Sequence, residues 1–139
     1  MKLSDRVRFT TSFDLAGRFR SSSSKICFFN NLHTITHVFP NIDVVVNMIL
    51  TKQMCENVVD GKFDIFNFME EHHVSVNLIP YIVLDESLAP SRQLVFAALQ
   101  KLASINAQFV SDWIHNIDLK QPRKMFYCDS RMDFISCEC

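Results

Sequence analysis

Residues 42–50 read IDVVVNMIL, and the fold class expected for the chain depends on whether they form a helix or a strand. Their apolar side chains recur at intervals of three and four, as on one face of a helix. The β-branched run 44–46 favours a strand instead. The apolar pattern continues to about Val59, which is too long for an average strand, and Asp60–Gly61 is a typical helix stop. We therefore predict a helix over residues 42–59.

The segments that follow also favour helices. Residues 64–79 are apolar on most sides, as in a helix at the centre of a core, and Pro80 should end or kink it. Residues 81–84 (YIVL) could instead be a short buried strand, and periodicity does not decide between the two. Residues 91–117 carry apolar side chains at intervals of three, four and seven with several alanines, which predicts a helix.

The composition is that of one helical domain. The chain has 139 residues, of which 48% are hydrophobic, and contains 13 Phe but only 2 Gly. So few Gly exclude glycine-rich phosphate-binding loops. A formal net charge of -1 argues against a protein held on nucleic acid mainly by Lys and Arg. We expect a single all-α domain over residues 1–139.

The cysteines and the apolar runs bear on location. There are 5 Cys, an odd number, and the first residues lack the apolar run of a signal peptide. No uncharged apolar stretch is long enough to span a membrane. We expect an intracellular protein without a membrane-spanning segment.

Side chains that could carry chemistry do not form a recognisable site. His33 and His37 would share a helix face but lack a third ligand. The titratable residues in 70–73 (EEHH) point apart on a helix. A Cys–His pair is not excluded, although nothing singles one out. From the residues we expect no metal, no cofactor and no catalytic residues; hence the protein is predicted not to be an enzyme.

Several short stretches occur in an order that resembles the B-cell-lymphoma-2 (Bcl) family of apoptosis regulators. Residues 13–19 (FDLAGRF) resemble the third homology region of the family, and residues 29–32 (FNNL) resemble a stretch on its groove rim. Residues 56–63 (ENVVDGKF) resemble the first homology region, and residues 113–116 (WIHN) resemble the start of the second. With residues 125–127 (MFY), similar to the family's Glu-Leu-Tyr, the resemblance covers about residues 13–127.

The chain departs from the family pattern at important positions. The Trp-Gly-Arg core of the first region is replaced by residues 64–66 (DIF), although Lys62 could supply a positive charge. Arg18 stands where the third region has Asp, which argues against a killer role. The family's carboxyl-terminal membrane anchor is not found. Such divergence resembles a viral member.

The resemblance implies a Bcl-like helical bundle around a buried central helical hairpin, with a hydrophobic surface groove. It implies an anti-apoptotic decoy that binds the amphipathic helix of host pro-apoptotic proteins and blocks mitochondrial apoptosis. The expected location is the host-cell cytoplasm, with peripheral association at mitochondria and a homodimer left open. The groove residues that it implies are Phe29, Leu32, Glu56, Val58, Lys62, Phe63, Phe66 and Tyr127.

Two other functions stay open. The same fold could inhibit host inflammatory signalling through another face. Alternatively, the chain could be a small α/β enzyme that uses residues 81–84 as a strand and a Cys or His as catalyst. The two Bcl hypotheses require an all-α fold, whereas the enzyme hypothesis requires strands.

Overall fold

Three parallel strands and five helices alternate along the part of the chain that the computed structural model describes, residues 8–13, 22–81 and 85–117. The elements in chain order are β1 (Arg8–Phe13), α1 (Ser22–Val38), β2 (Asp43–Leu50), α2 (Lys52–Val59), α3 (Ile65–His72), β3 (Ser75–Pro80), α4 (Arg92–Ile105) and α5 (Ala107–Ile117). None of these helices has the length and apolar character needed to cross a bilayer.

The strands form one sheet in the order β1-β2-β3, with β2 in the middle. Every pairing is parallel, and Met48 of β2 lies between Phe13 of β1 and Leu78 of β3. Since parallel neighbours cannot be joined by a tight turn, a helical segment connects each strand to the next. The predicted all-α, Bcl-like bundle around a central helical hairpin is therefore wrong: the fold is mixed α/β.

The error begins in residues 42–50, which form a strand where a helix was predicted. The side chains of residues 44, 46, 48 and 50 are buried, whereas those at 45, 47 and 49 are only half-buried. This alternation has the period of a strand. It is hidden in the sequence because Val45 and Ile49, on the less buried face, are also apolar. The helix prediction holds only for its second half, where α2 begins at Lys52 and Asp60 is its C-cap.

The helix predicted over residues 64–79 is confirmed only for its first half, α3, and its second half is the strand β3. Asp64 caps α3 by accepting hydrogen bonds from the backbone N–H groups of Phe66 and Asn67. The helix ends at His73, which adopts a left-handed conformation with φ of 53°. The chain then becomes extended as β3. The helix predicted over 91–117 is confirmed, but it breaks at Asn106 into α4 and α5.

The core lies between one face of the sheet and the helices. Its strand residues are Phe13 from β1, the even-numbered residues of β2, and Val76 and Leu78 from β3. Helical residues such as Leu32, Met54, Ile65 and Leu102 pack against them. The aromatic side chains concentrate around Phe13, whose ring lies 5.3–6.1 Å from those of Phe28, Phe29, Phe63 and Phe68.

Phe13→Ala should lower the free energy of unfolding by about 3–5 kcal/mol, because it removes a buried ring and leaves a cavity among four others. Urea unfolding followed by circular dichroism measures the change. Phe96→Ala is the matched control, since Phe96 is 63% exposed whereas Phe13 is only 2% exposed. Equal effects of the two substitutions would contradict the assignment of Phe13 to the core.

Candidate functional site

The face of the sheet turned away from the core carries the most distinctive polar side chains of the described residues. We call it the open face. Its apolar members Val45, Ile49 and Ile79 neither belong to the core nor pack against it. The complete set is Arg8, Thr10, Ser12, Asp43, Val45, Asn47, Ile49, Ser75, Asn77 and Ile79.

A row of uncharged polar side chains crosses all three strands of the open face. Ser12 pairs with Asn47, and Asn47 pairs with Asn77. The Asn77 side-chain Nδ2 donates a hydrogen bond to the Asn47 Oδ1 at 3.0 Å. Asn is depleted in strands because it fits a pleated, half-buried surface poorly. Two Asn opposite each other on neighbouring strands therefore call for an explanation other than strand propensity.

The sequence carries a signal for this row in the form of a repeated pattern. Residues 44–49 (VVVNMI) and 74–79 (VSVNLI) share the pattern Val-x-Val-Asn-x-Ile. The two copies pair in register, so that Asn47 faces Asn77 and Ile49 faces Ile79. If residues 42–59 and 64–79 were both helices, Asn47 and Asn77 would not face each other, so the predicted helices hide the repeat.

Two features lie near this row: an ion pair at the start of the strands and a cavity beside β3. At the start of the strands, the Arg8 Nε and the Asp43 Oδ2 form an ion pair at 2.7 Å between largely exposed side chains. Beyond Asn77, a cavity of about 560 Å³ opens between β3 and α5, lined also by Phe109, Asp112 and Trp113. This volume lies within the range of ligand pockets, which is ~300–1,000 Å³.

A second cavity, of about 350 Å³, lies where β2 and β3 end. Leu50 and Pro80, from the core-facing side of these strands, contribute to its wall together with α4 and Trp113. Ligands of open α/β sheets bind at the carboxyl ends of the strands, which makes this edge a second place of interest.

Of the two described cysteines, Cys55 is poorly suited to act as a nucleophile. Cys55 is fully buried, and burial is the main reason that the pKa of its thiol rises to about 11; the charge of Glu56 adds to the effect. A thiol with so high a pKa is almost entirely protonated at neutral pH and is a poor nucleophile. Cys27 is half-buried, and its Sγ accepts a long hydrogen bond of 3.7 Å from the Asn31 Nδ2.

The histidines gather but do not form a metal centre. The rings of His33 and His37 are stacked with centroids 5.7 Å apart. They line a cavity of about 180 Å³ together with Glu71, His72 and His73. Within the described ranges no three His, Cys, Asp or Glu side chains are arranged to hold a metal ion. His72 instead packs its ring against Phe29, at 5.1 Å, and Phe68, at 4.7 Å.

The groove residues implied by the Bcl resemblance do not meet on one surface. Leu32 and Val58 are buried in the core, and Phe29 and Phe63 pack in the aromatic cluster around Phe13. The ring of Phe66 packs at nearly a right angle against that of Phe109 on α5, with the ring centroids 5.2 Å apart.

The charged members of that set lie at the surface, and Tyr127 lies outside the described residues. Glu56 is exposed on α2. The Lys62 Nζ donates to the Asp60 Oδ2 at 2.9 Å, and this bond is the main reason that the pKa of Lys62 is raised. Lys62 therefore already has a local partner.

Comparisons of the chain with protein-family models, with curated proteins and with solved structures found no match. The candidate sites thus rest on the geometry alone.

The Cys55 thiol should be unreactive in the folded protein at pH 8. Its raised pKa, about 11 against an ordinary 9.0, reduces the thiolate fraction roughly 100-fold, and burial blocks access to the reagent. Titration with Ellman's reagent should therefore show the same number of fast-reacting thiols in the wild type and in Cys55→Ala. The loss of one fast thiol in the variant would show that Cys55 is accessible and nucleophilic.

Proposed function

We propose that the chain binds a neutral, hydrogen-bonding small molecule on the open face, with Asn47 and Asn77 as its main polar contacts. The observation that carries the proposal is the amide pair at matched positions of two strands, of which Asn77 also lines the cavity beside α5. Each Asn amide has two donors and a two-lone-pair acceptor. The single bond between the two amides leaves further donors and acceptors for a ligand.

The charges on the strands favour a neutral ligand, and the one carboxylate in the cavity lining, Asp112, already accepts a hydrogen bond from the Gln108 Nε2 at 2.7 Å. Arg8 and Asp43 neutralise each other at the far end of the strands, and the row itself is uncharged. Ile49 and Ile79 form the next row toward the carboxyl ends. They offer an apolar surface to the rest of the ligand, and ligand sites commonly combine such a surface with a few placed polar groups.

The topology supports a ligand on this side of the sheet. Parallel sheets normally have both faces covered, whereas the described helices pack on one face only. Sequential strand order with helices on one side is the arrangement of the wall of a (β/α) barrel. Barrel proteins place their ligands at the carboxyl edge of such a wall, where the strands end. Asn47 and Asn77 lie three residues before the carboxyl ends of β2 and β3, at Leu50 and Pro80.

The decoy, signalling and enzyme hypotheses stay predictions, and the geometry supports them less than ligand binding on the open face. The decoy function and the signalling alternative were tied to a helical bundle, and the residues expected in its groove lie in several separate places. The enzyme hypothesis presupposed an α/β fold. However, it names no particular Cys or His as catalyst, the thiol of the buried Cys55 has a raised pKa, and residues 82–84 of its expected strand lie outside the described residues. Ligand binding at Asn47 and Asn77 fits the geometry best.

The proposal is tested by thermal shift and calorimetry on the full chain with adenosine, uridine, glucose and N-acetylglucosamine. At least one of these neutral probes should raise the melting temperature in a saturable way. Asn47→Val combined with Asn77→Val should weaken that binding about 10-fold or more, because two polar contacts are removed. The unliganded variant should melt at the same or a higher temperature, since Val is favoured in strands.

Asn67→Ala is the matched control, because Asn67 is exposed on α3 and should leave binding unchanged. If none of the neutral probes binds, or if the double variant binds as well as the wild type, the open face is not the ligand site. A double variant that loses several degrees of melting temperature without ligand would assign the amide pair to stability instead.

A further inference from the structure

The apolar cavity at the carboxyl ends of β2 and β3 is distinct from the open face. It lies on the core-facing side of the sheet, since its strand residues Leu50 and Pro80 pair on that side. Val95 and Leu99 of α4 and Trp113 of α5 complete its apolar wall. A cavity of about 350 Å³ is at the small end of the range for ligand pockets.

Phe96 leaves a large part of the apolar surface at the cavity exposed to solvent. Its side chain lines the cavity, yet it is 63% exposed, a larger fraction than that of the other exposed large apolar residues in the described chain. The Phe96 ring extends the apolar surface of the cavity, and a contiguous exposed apolar patch, unlike a single exposed apolar residue, marks an interaction site or ligand groove.

The polar groups of the cavity restrict what it can bind. The Tyr81 hydroxyl donates to the backbone oxygen of Asp85 at 3.0 Å, and the Trp113 Nε1 donates to the backbone oxygen of Leu78 at 2.7 Å. Arg92 is the charged residue in the lining. No ion pair within residues 8–13, 22–81 and 85–117 involves its guanidinium. The complementary ligand therefore has one negative charge and an otherwise apolar body.

We propose that this cavity binds a small monocarboxylic acid with an apolar chain or ring. The guanidinium of Arg92 binds the carboxylate, for which its planar, two-pronged donor geometry is suited. The apolar part of the acid lies against Phe96, Leu99 and Trp113. This inference goes beyond the proposed function and does not depend on it, because Asn47 and Asn77 face the other side of the sheet.

Trp113, the only Trp in the chain, lines the cavity and provides a fluorescence readout; since Trp113 also lines the cavity beside α5, the Arg92 variant assigns the signal to this cavity. Titration of the full chain with octanoate should change the Trp113 fluorescence in a saturable way, and the uncharged isostere octanamide should bind more weakly. Arg92→Gln should weaken octanoate binding about 10-fold and leave octanamide unchanged, because only the charge-assisted contact is lost. Phe96→Ala should weaken both probes.

Lys101→Gln is the matched control, since Lys101 is exposed on the same helix and does not line the cavity; it should change neither affinity. Equal affinities of wild type and Arg92→Gln for octanoate would overturn the proposal. So would the absence of any fluorescence change, which would mean that the cavity does not admit the acid. A fluorescence change that follows protein concentration without ligand, with dimers in gel filtration, would assign the cavity to a second copy and equally overturn it.

Discussion

The structure depends on the position of β2 between two parallel neighbours. Its even-numbered residues, from Val44 to Leu50, form the central row of the core, and both outer strands take their register from it. Parallel pairing requires that the chain return to the same end of the sheet before each new strand. This requirement accounts for α1 between β1 and β2, and for α2 and α3 between β2 and β3.

The same arrangement creates the two candidate sites. Because the described helices cover one face, the alternate residues of the strands lie on the open face. Asn47, Asn77 and the Arg8–Asp43 ion pair lie there among Thr, Ser, Val and Ile side chains. Because the strands are parallel, their carboxyl ends lie at one edge. The last residues of β2 and β3, Tyr81 and the residues just before α4 enclose a cavity there together with α4 and α5. The candidate site on the open face is uncharged and offers hydrogen bonds, whereas the cavity is apolar and has one positively charged side chain, Arg92.

Local signals in the sequence predicted the helices well where capping and periodicity agree. Residues 92–105 and 107–117 are helical, and Asp60–Gly61 ends α2, with Gly61 at a φ of 70° that other residues rarely adopt. The strands were missed because β2 carries apolar residues on both faces. A strand of that kind lacks clean alternation and is hard to distinguish from a buried helix.

The candidate sites were missed for a related reason. Asn47 and Asn77 are thirty positions apart (77 − 47) and become neighbours only through strand pairing. The sequence contains both copies of the repeat Val-x-Val-Asn-x-Ile, but their equivalence shows only when both segments are strands that pair in register. Arg92 and Trp113 meet around one cavity only because α4 and α5 fold back over the ends of β2 and β3. No spacing within either helix indicates this.

The fold and both candidate sites depend on residues 44–49 and 74–79 being adjacent parallel strands with Asn47 beside Asn77. Nuclear Overhauser spectroscopy of the labelled protein detects this pairing. We expect cross-strand contacts between backbone protons of Val46, Asn47 and Met48 and those of Val76, Asn77 and Leu78, in parallel register. Contacts between residues three and four positions apart within 42–50, with no contacts to 74–80, would show that this segment is a helix and that the pairing is wrong.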